Sequence, residues 1–263
     1  DRSLIPRGCD YAITLEHEYG IADWAMMAVL MLNRDVMKMD REFRSGSIRT
    51  AEENGGPHPD LFGSTLAVVG LGRIGKRVVQ LARAHDMQCI AATRTVPDAD
   101  TRMALGLESV RPLTEPNDVL AEADHVVITI PSAPETVGMI SAEQLKAMKT
   151  TAFLINVARG NILDESATYE ALKSGSIAGA ALDVWWQNDI SDEDADLSEP
   201  GITRWSKEPF WELENVIMSP HWSSFTTGMI GRKFAEMSRQ IERQYNGEPL
   251  KNSIPELSRV NEV

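Results

Sequence analysis

The sequence predicts an α/β fold, a doubly wound parallel sheet covered by helices on both faces. Three observations predict it. Short β-branched runs alternate with helical patterns through short connections, the sequence form of a parallel sheet. One run, Thr65 to Val69, enters Gly70-Leu-Gly-Arg-Ile-Gly75 and passes directly into a helical pattern. The 263 residues are 43% hydrophobic and 25% charged, which is globular composition with length enough for a sizeable core.

The elements follow in order. His17 to about Ser45 reads as one long helix whose middle, Trp24 to Leu32, is apolar on every face. Such a helix must be covered on all sides, either inside a large domain or by a second subunit. Arg49 to Asp60 is polar and contains Gly and Pro, so it reads as loop. Thr65 to Val69 is a strand and the helix after the glycines runs to about His85. Gln88 to Ala92 and His125 to Ile130 are further strands. Ser141-Ala-Glu-Gln144 has the form of a capping box and opens a short helix, after which Ala152 to Asn156 is strand-like. Asp164 to Ser174 is helical and stops at Gly175. Ile177 to Asp183 and Val216 to Met218 are the last strands, and Gly228 to Asn246 is a closing helix.

Composition excludes several classes of function. With 26 basic against 39 acidic residues the net charge is −13, which argues against nucleic acid or an anionic membrane as partner. The apolar run Trp24 to Leu32 falls far short of the roughly 20 residues that span a bilayer. The chain opens Asp1-Arg2 without a charged-then-apolar leader, so no secretory signal is expected. Cys9 and Cys89 suggest neither a metal clip nor a disulfide scaffold, and a cytoplasmic setting is the default. No metal site is expected. Asp192, Asp194 and Asp196 imitate the start of a calcium loop, but Leu197 stands where the glycine belongs, and the acidic run Asp189 to Glu199 reads as a solvated insertion. His17-Glu18 begins like a zinc-protease motif but has Ile21 in place of the second histidine.

The chemistry concentrates around the glycines. Gly70 permits a tight turn, Gly72 lets the backbone approach a pyrophosphate, and Gly75 lets helix and strand pack closely. The helix that starts at Arg73 and Ile74 offers free N–H groups and the positive end of its dipole to phosphates. An NAD-reading site ends its second strand in Asp or Glu, which binds the adenosine 2′-hydroxyl. Here the strand runs into Thr93-Arg94-Thr95 and has no carboxylate. Arginine suits a 2′-phosphate through its fork of donors, so NADP(H) is favoured, with NAD(H) as the alternative.

Five ordered motifs carry a resemblance: Gly70 to Gly75, Pro131-Ser-Ala-Pro-Glu-Thr136, Asn156-Val-Ala-Arg-Gly160, Ala181-Leu-Asp-Val184 and Ser219-Pro-His221. With them the chain resembles the D-isomer-specific 2-hydroxyacid dehydrogenases, the family of glycerate and phosphoglycerate dehydrogenases and glyoxylate/hydroxypyruvate reductases. The resemblance implies a Rossmann domain with remnants of a second, discontinuous substrate domain. It implies boundaries at 1–16 for the crossing segment, 17–225 for the dinucleotide-binding domain and 226–263 for the tail returning to the substrate domain. It also implies an oxidoreductase that moves a hydride between a nicotinamide cofactor and a small 2-hydroxy or 2-oxo acid, as a homodimer paired through the apolar first helix.

The resemblance further implies roles. Arg159 holds the carboxylate and the reacting oxygen of the acid, because a fixed cation orients an anion and polarises its carbonyl. His221 exchanges the proton with that oxygen, a task matched to imidazole near neutral pH. Asp183 meets the nicotinamide end, and Ile130, Pro131, Val157, Ala158, Arg159, His221 and Ser223 line the cofactor pocket. Two departures stand out. The family pairs the histidine with a Glu five residues beyond Asp183, where this chain has Asn188, an amide that cannot raise a pKa by charge. Asp189, Asp192 or Glu193 could supply the carboxylate instead. The amide also suits formate-dehydrogenase-like chemistry, in which only a hydride moves. The second departure is the start. The family's substrate domain opens with a segment of about a hundred residues, of ordinary domain size, and most of it is absent here. The chain is then a fragment or a shortened relative, and a non-catalytic NAD(P)-sensing, corepressor-like module is the rival reading.

Overall fold

The computed structural model describes residues 12–47, 53, 56–187 and 205–253. The chain divides into two compact units, one of Ile21–Ser223 and one of Asp1–Gly20 with Ser224–Val263. The larger unit is built on seven parallel strands: β1 (Thr65–Val69), β2 (Gln88–Thr93), β3 (Ser109–Pro112), β4 (His125–Ile128), β5 (Phe153–Asn156), β6 (Gly179–Leu182) and β7 (Val216–Met218). Their order is β3-β2-β1-β4-β5-β6-β7. The chain therefore winds outward from β1 in one direction and then returns to start again at β4 on the other side. Beyond the carboxyl ends of β1 and β4 a crevice opens, the place where this topology binds ligands.

Alternation along the strands feeds two cores. Leu66 and Val68 of β1 join Cys89, Ala91, Val127, Ile155 and Ala181 beneath α1 (Glu18–Asn33) and α3 (Arg73–Ala84). Ala67 and Val69 join Ile90, Ala92, Val126, Ile128 and Leu182 on the opposite face. That face is covered by α5 (Pro116–Glu122), α6 (Ala142–Ala147) and α7 (Glu165–Lys173). Each fully buried Val, Leu or Ile is worth roughly 1.5–3 kcal/mol, so the doubled core fixes the register of the central strands β1, β2, β4, β5 and β6. The capping box at Ser141 forms, with Gln144 reaching back to the Ser141 N–H.

The structure departs from the sequence reading in three ways. The first helix is two. α1 ends at Asn33 and α2 (Val36–Arg44) begins after Asp35, which takes a left-handed conformation that Asp tolerates better than most residues. Between β2 and β4 the chain forms α4 (Ala99–Leu105), β3 and α5, which the sequence reading left without elements. Finally, α1 is covered on one side only within the larger unit. Ala22, Ala25, Ala28 and Val29 are fully buried, yet Met27 and Leu30 remain 42% and 39% exposed. α2 buries no residue and exposes Val36, Met37, Met39 and Phe43.

The smaller unit holds α8 (Thr227–Tyr245), whose N-cap Thr226 accepts the Met229 N–H at 3.1 Å. Within it, Arg232 lies over the Tyr19 ring and 3.6 Å from the Glu16 carboxylate. None of the helices among the described residues is long and apolar enough to cross a membrane.

Candidate active site

All the predicted site residues among those described fall at or just beyond the carboxyl ends of strands, and backbone chemistry explains each turn. After β1, Gly70 adopts φ +107° and donates its N–H to the Ala92 carbonyl at 2.8 Å. A Cβ there would lie 2.7 Å from the Ile130 side chain, so the turn is closed to other residues. Gly75, in the first turn of α3, packs against the same loop, and a Cβ on it would come within 2.0 Å of the Gly70 carbonyl. Thr129 donates its hydroxyl to that carbonyl at 2.6 Å and so ties β4 to the glycine turn. Gly72 is the opposite case: a Cβ would meet no protein atom within 4 Å, which leaves open space before the amino end of α3. That open backbone fits a pyrophosphate.

A cleft of about 480 Å³ lies over this turn, lined by Gly70, Gly72, Thr93, Arg94, Thr95, Ile130 and Pro131 among the predicted residues. Arg73, Ile74 and Gly75 shape the turn without lining the cleft. Thr136, the end of a motif quoted above, lines it too, as do Lys76 and Thr101, which carry no motif signal. Thr136 is fully buried. Its hydroxyl accepts the Ala133 N–H and donates to the Pro131 carbonyl, both at 2.8 Å, which braces the loop after β4. Arg94, just past β2, reaches across to Glu135 of that loop at 3.1 Å.

Further along the same edge stand two built turns. After β5, buried Asn156 accepts the Ala158 N–H at 3.1 Å and donates to the Arg159 carbonyl at 2.9 Å. Val157 and Ala158 are buried beneath this turn while Arg159 is exposed, with its guanidinium 2.6 Å from the Ala158 carbonyl. After β6, Asp183 is fully buried, and its carboxylate holds the segment that follows β7. One oxygen accepts the Ser219 hydroxyl and the Trp222 N–H, the latter at 2.9 Å. The other accepts the Ser223 N–H at 3.0 Å. Three donors converge on one carboxylate, and His221 rides between them, exposed and at φ +60°. A left-handed non-glycine residue of this kind is strained by about 1–3 kcal/mol and persists only where its surroundings impose it. Asp183 imposes it. The turn is braced further by Trp185, which donates its indole N–H to the Ser219 carbonyl at 2.9 Å.

Asn188, Asp189, Asp192 and Glu193 lie outside the described residues, as do Cys9 and the calcium-like run Asp192 to Leu197. Among the described residues no cluster of His, Cys, Asp and Glu could hold a metal ion.

Comparison with known proteins agrees with this geometry. The family model for the D-isomer specific 2-hydroxyacid dehydrogenase, NAD binding domain, matches residues 26–223. Glyoxylate reductase of Korarchaeum cryptofilum is 37% identical over 209 residues, 77% of this chain and 56% of that protein. Glyoxylate reductase of Pyrococcus furiosus is 37% identical over 211 residues, 78% of this chain and 56% of that protein. Among solved structures, the D-isomer specific 2-hydroxyacid dehydrogenase from Xanthobacter autotrophicus Py2 in complex with NADPH and MES aligns with a TM-score of 0.73 at 26% identity, covering 95% of this chain and 93% of that one. The chain thus spans little more than half the length of the curated relatives it matches.

Proposed function

Because the chain belongs to the D-isomer-specific 2-hydroxyacid dehydrogenase family, we propose that it carries the cofactor-binding part of an oxidoreductase acting on a small 2-hydroxy or 2-oxo acid. The observation that carries this reading is the Asp183 carboxylate holding the His221 turn, set one strand away from the Asn156-braced turn that presents Arg159. A binding module has no need to hold an exposed histidine in a strained conformation at the same sheet edge as an exposed arginine.

When bound, the nicotinamide cofactor supplies or accepts the hydride. Gly70, Gly72 and the amino end of α3 would hold its pyrophosphate, and Ile130 and Val157 would cover its path along the sheet edge. Arg159 pairs with the acid's carboxylate and polarises the 2-oxo group. His221 donates a proton to that oxygen in reduction and takes it back in oxidation. Asn188 occupies the family position of the histidine's carboxylate partner in the sequence, and as an amide it brings no charge to that role.

The same reading prefers NADP(H). Arg94 lines the cleft between Thr93 and Thr95, where a 2′-phosphate would sit, and β2 ends without a carboxylate. It also makes the chain a homodimer, because the exposed Met27, Leu30, Met37 and Phe43 offer an apolar surface that a second copy would cover. Light scattering at micromolar concentration is expected to give the mass of two chains, and a monomer rejects the pairing.

The test of function is NADPH oxidation by the full-length protein with glyoxylate, hydroxypyruvate and related 2-oxo acids. Turnover with at least one is expected. Tight NADPH binding with no turnover on any of them would favour a sensing module.

A further inference from the structure

Holding a cofactor's pyrophosphate does not account for the Arg94–Glu135 pair. Arg94 follows β2 and Glu135 follows β4, and these strands flank β1 on either side. Their contact at 3.1 Å therefore spans the strand that carries the glycine turn, at the cleft where the adenosine end of a dinucleotide would lie. Both side chains are more than half exposed, so the pair is open to competition from a ligand. Glu135 is nevertheless held in place through its backbone, because the neighbouring Thr136 is fully buried and bonded to Ala133 and Pro131. A site that reads NAD brings a carboxylate on its second strand. Here the second strand brings a cation, and a carboxylate arrives beside it from the loop after the fourth.

We propose that Glu135 is a specificity-determining residue that restrains NADP(H) binding by competing with the cofactor's 2′-phosphate for Arg94. This rests on the assignment of Arg94 to the 2′-phosphate. A phosphate entering the cleft must draw the guanidinium from Glu135 or share it, and it meets the carboxylate's negative charge in either case. A 2′-hydroxyl meets neither obstacle. The pair therefore narrows the difference between the two cofactors, and Glu135 sets how far.

The experiment is a fluorescence titration of NADPH and NADH against the full-length protein and its Glu135→Gln, Arg94→Ala and double variants. An exposed ion pair is worth up to about 1 kcal/mol, so Glu135→Gln should tighten NADPH about fivefold. NADH should change less than about twofold, which also reports an intact fold. In the Arg94→Ala background the gain from Glu135→Gln should shrink to less than about twofold, since coupled residues are non-additive. Unchanged or weaker NADPH binding in Glu135→Gln overturns the proposal, and so does an equal gain with and without Arg94. If the unmutated protein binds NADH more tightly than NADPH, the preference for NADP(H) falls, while the shift in ratio still reads Glu135. A protein that binds neither cofactor overturns both.

Discussion

The two ends of the parallel sheet treat buried polar groups in opposite ways. At the carboxyl end Asp183 is fully buried and every oxygen has a donor: Ser219, Trp222 and Ser223. Asn156 and Thr136, also fully buried, are bonded on both their donor and acceptor sides. At the amino end His125 opens β4 with its ring stacked on Phe153, and its Nδ1 has no hydrogen-bond partner among the described residues. Burial pushes its imidazole down to about 4, against an upward pull from the neighbouring Asp124. Lys149, which is 2.8 Å from Asp124, pushes the same way as burial. The difference teaches where this fold spends its polar groups. The satisfied groups shape the turns beyond the strands, whereas the partnerless Nδ1 of His125 goes with a pH-sensitive weakness.

The largest effect should come from filling the tightest contact at the carboxyl end. Gly75→Ala sets a methyl group 2.0 Å from the Gly70 carbonyl and 2.8 Å from Val68. Backbone cannot yield there without opening the turn, so a loss of roughly 3 kcal/mol or more is expected, with NADPH binding abolished. Urea melts read the first and cofactor titration the second. A variant of native stability that still binds NADPH would mean that the turn yields to an added methyl group.

The amino end gives the next effect. The folded value of His125, about 4, lies below the unfolded value of about 6.5. The unfolded chain therefore binds the proton first as pH falls. This stability is fully present above about pH 6.5 and is lost on the way down to pH 4, by roughly 3 kcal/mol in all. Asp124 acts further down. Burial pushes its carboxyl up, but Lys149 and the Thr65 N–H more than offset this, so its contribution is lost only below the ordinary carboxylate range. His125→Leu should flatten the stability profile between pH 6.5 and 4. Urea unfolding at several pH values checks it, and an unchanged slope would assign the acid lability to another group.

The smallest effect concerns the rim of the carboxyl end, where groups are exposed. Arg94→Ala should weaken NADPH by about one to two decades, the worth of one charge-assisted phosphate contact, and leave NADH nearly unmoved. Equal losses for both cofactors would move Arg94 from reading the 2′-phosphate to a general packing role.

How much of this was legible in the sequence follows the same division. The carboxyl-end turns demand particular residue types at fixed spacing, so Gly70, Gly75, Asn156 and Asp183 announce themselves. The pairing of Arg94 with Glu135 does not, because 41 residues separate them and only the sheet order brings them together. Nor does the use of Asp183, whose donors come from a loop 36 to 40 residues away. β3 escaped notice because it is an edge strand with a single buried residue, Val110, and carries no apolar alternation. Its neighbours α4 and α5 did carry signals: Asp98 caps the Thr101 N–H at 2.7 Å, Gly106 closes the helix in a left-handed conformation, and Pro116 opens the next. His125 gave no warning, since a residue heading an apolar run says nothing about whether its ring will find a partner.

The claim that the carboxyl end is a catalytic site rests most on Asp183. Asp183→Asn keeps the size but turns one acceptor into a donor. Either orientation of the amide sets that donor against the Trp222 or the Ser223 N–H. The His221 turn should then lose its fixed position, while the cleft between β1, β2 and β4 stays intact. Displacement of a catalytic group by about 1 Å lowers a rate by the order of a hundredfold. Steady-state NADPH oxidation with glyoxylate, measured beside NADPH affinity in the full-length protein, separates the two. The account predicts kcat lowered about a hundredfold in Asp183→Asn, with the NADPH Kd within about threefold of the unmutated protein. An unaltered kcat, or a loss of NADPH affinity as large as the loss of rate, would contradict it.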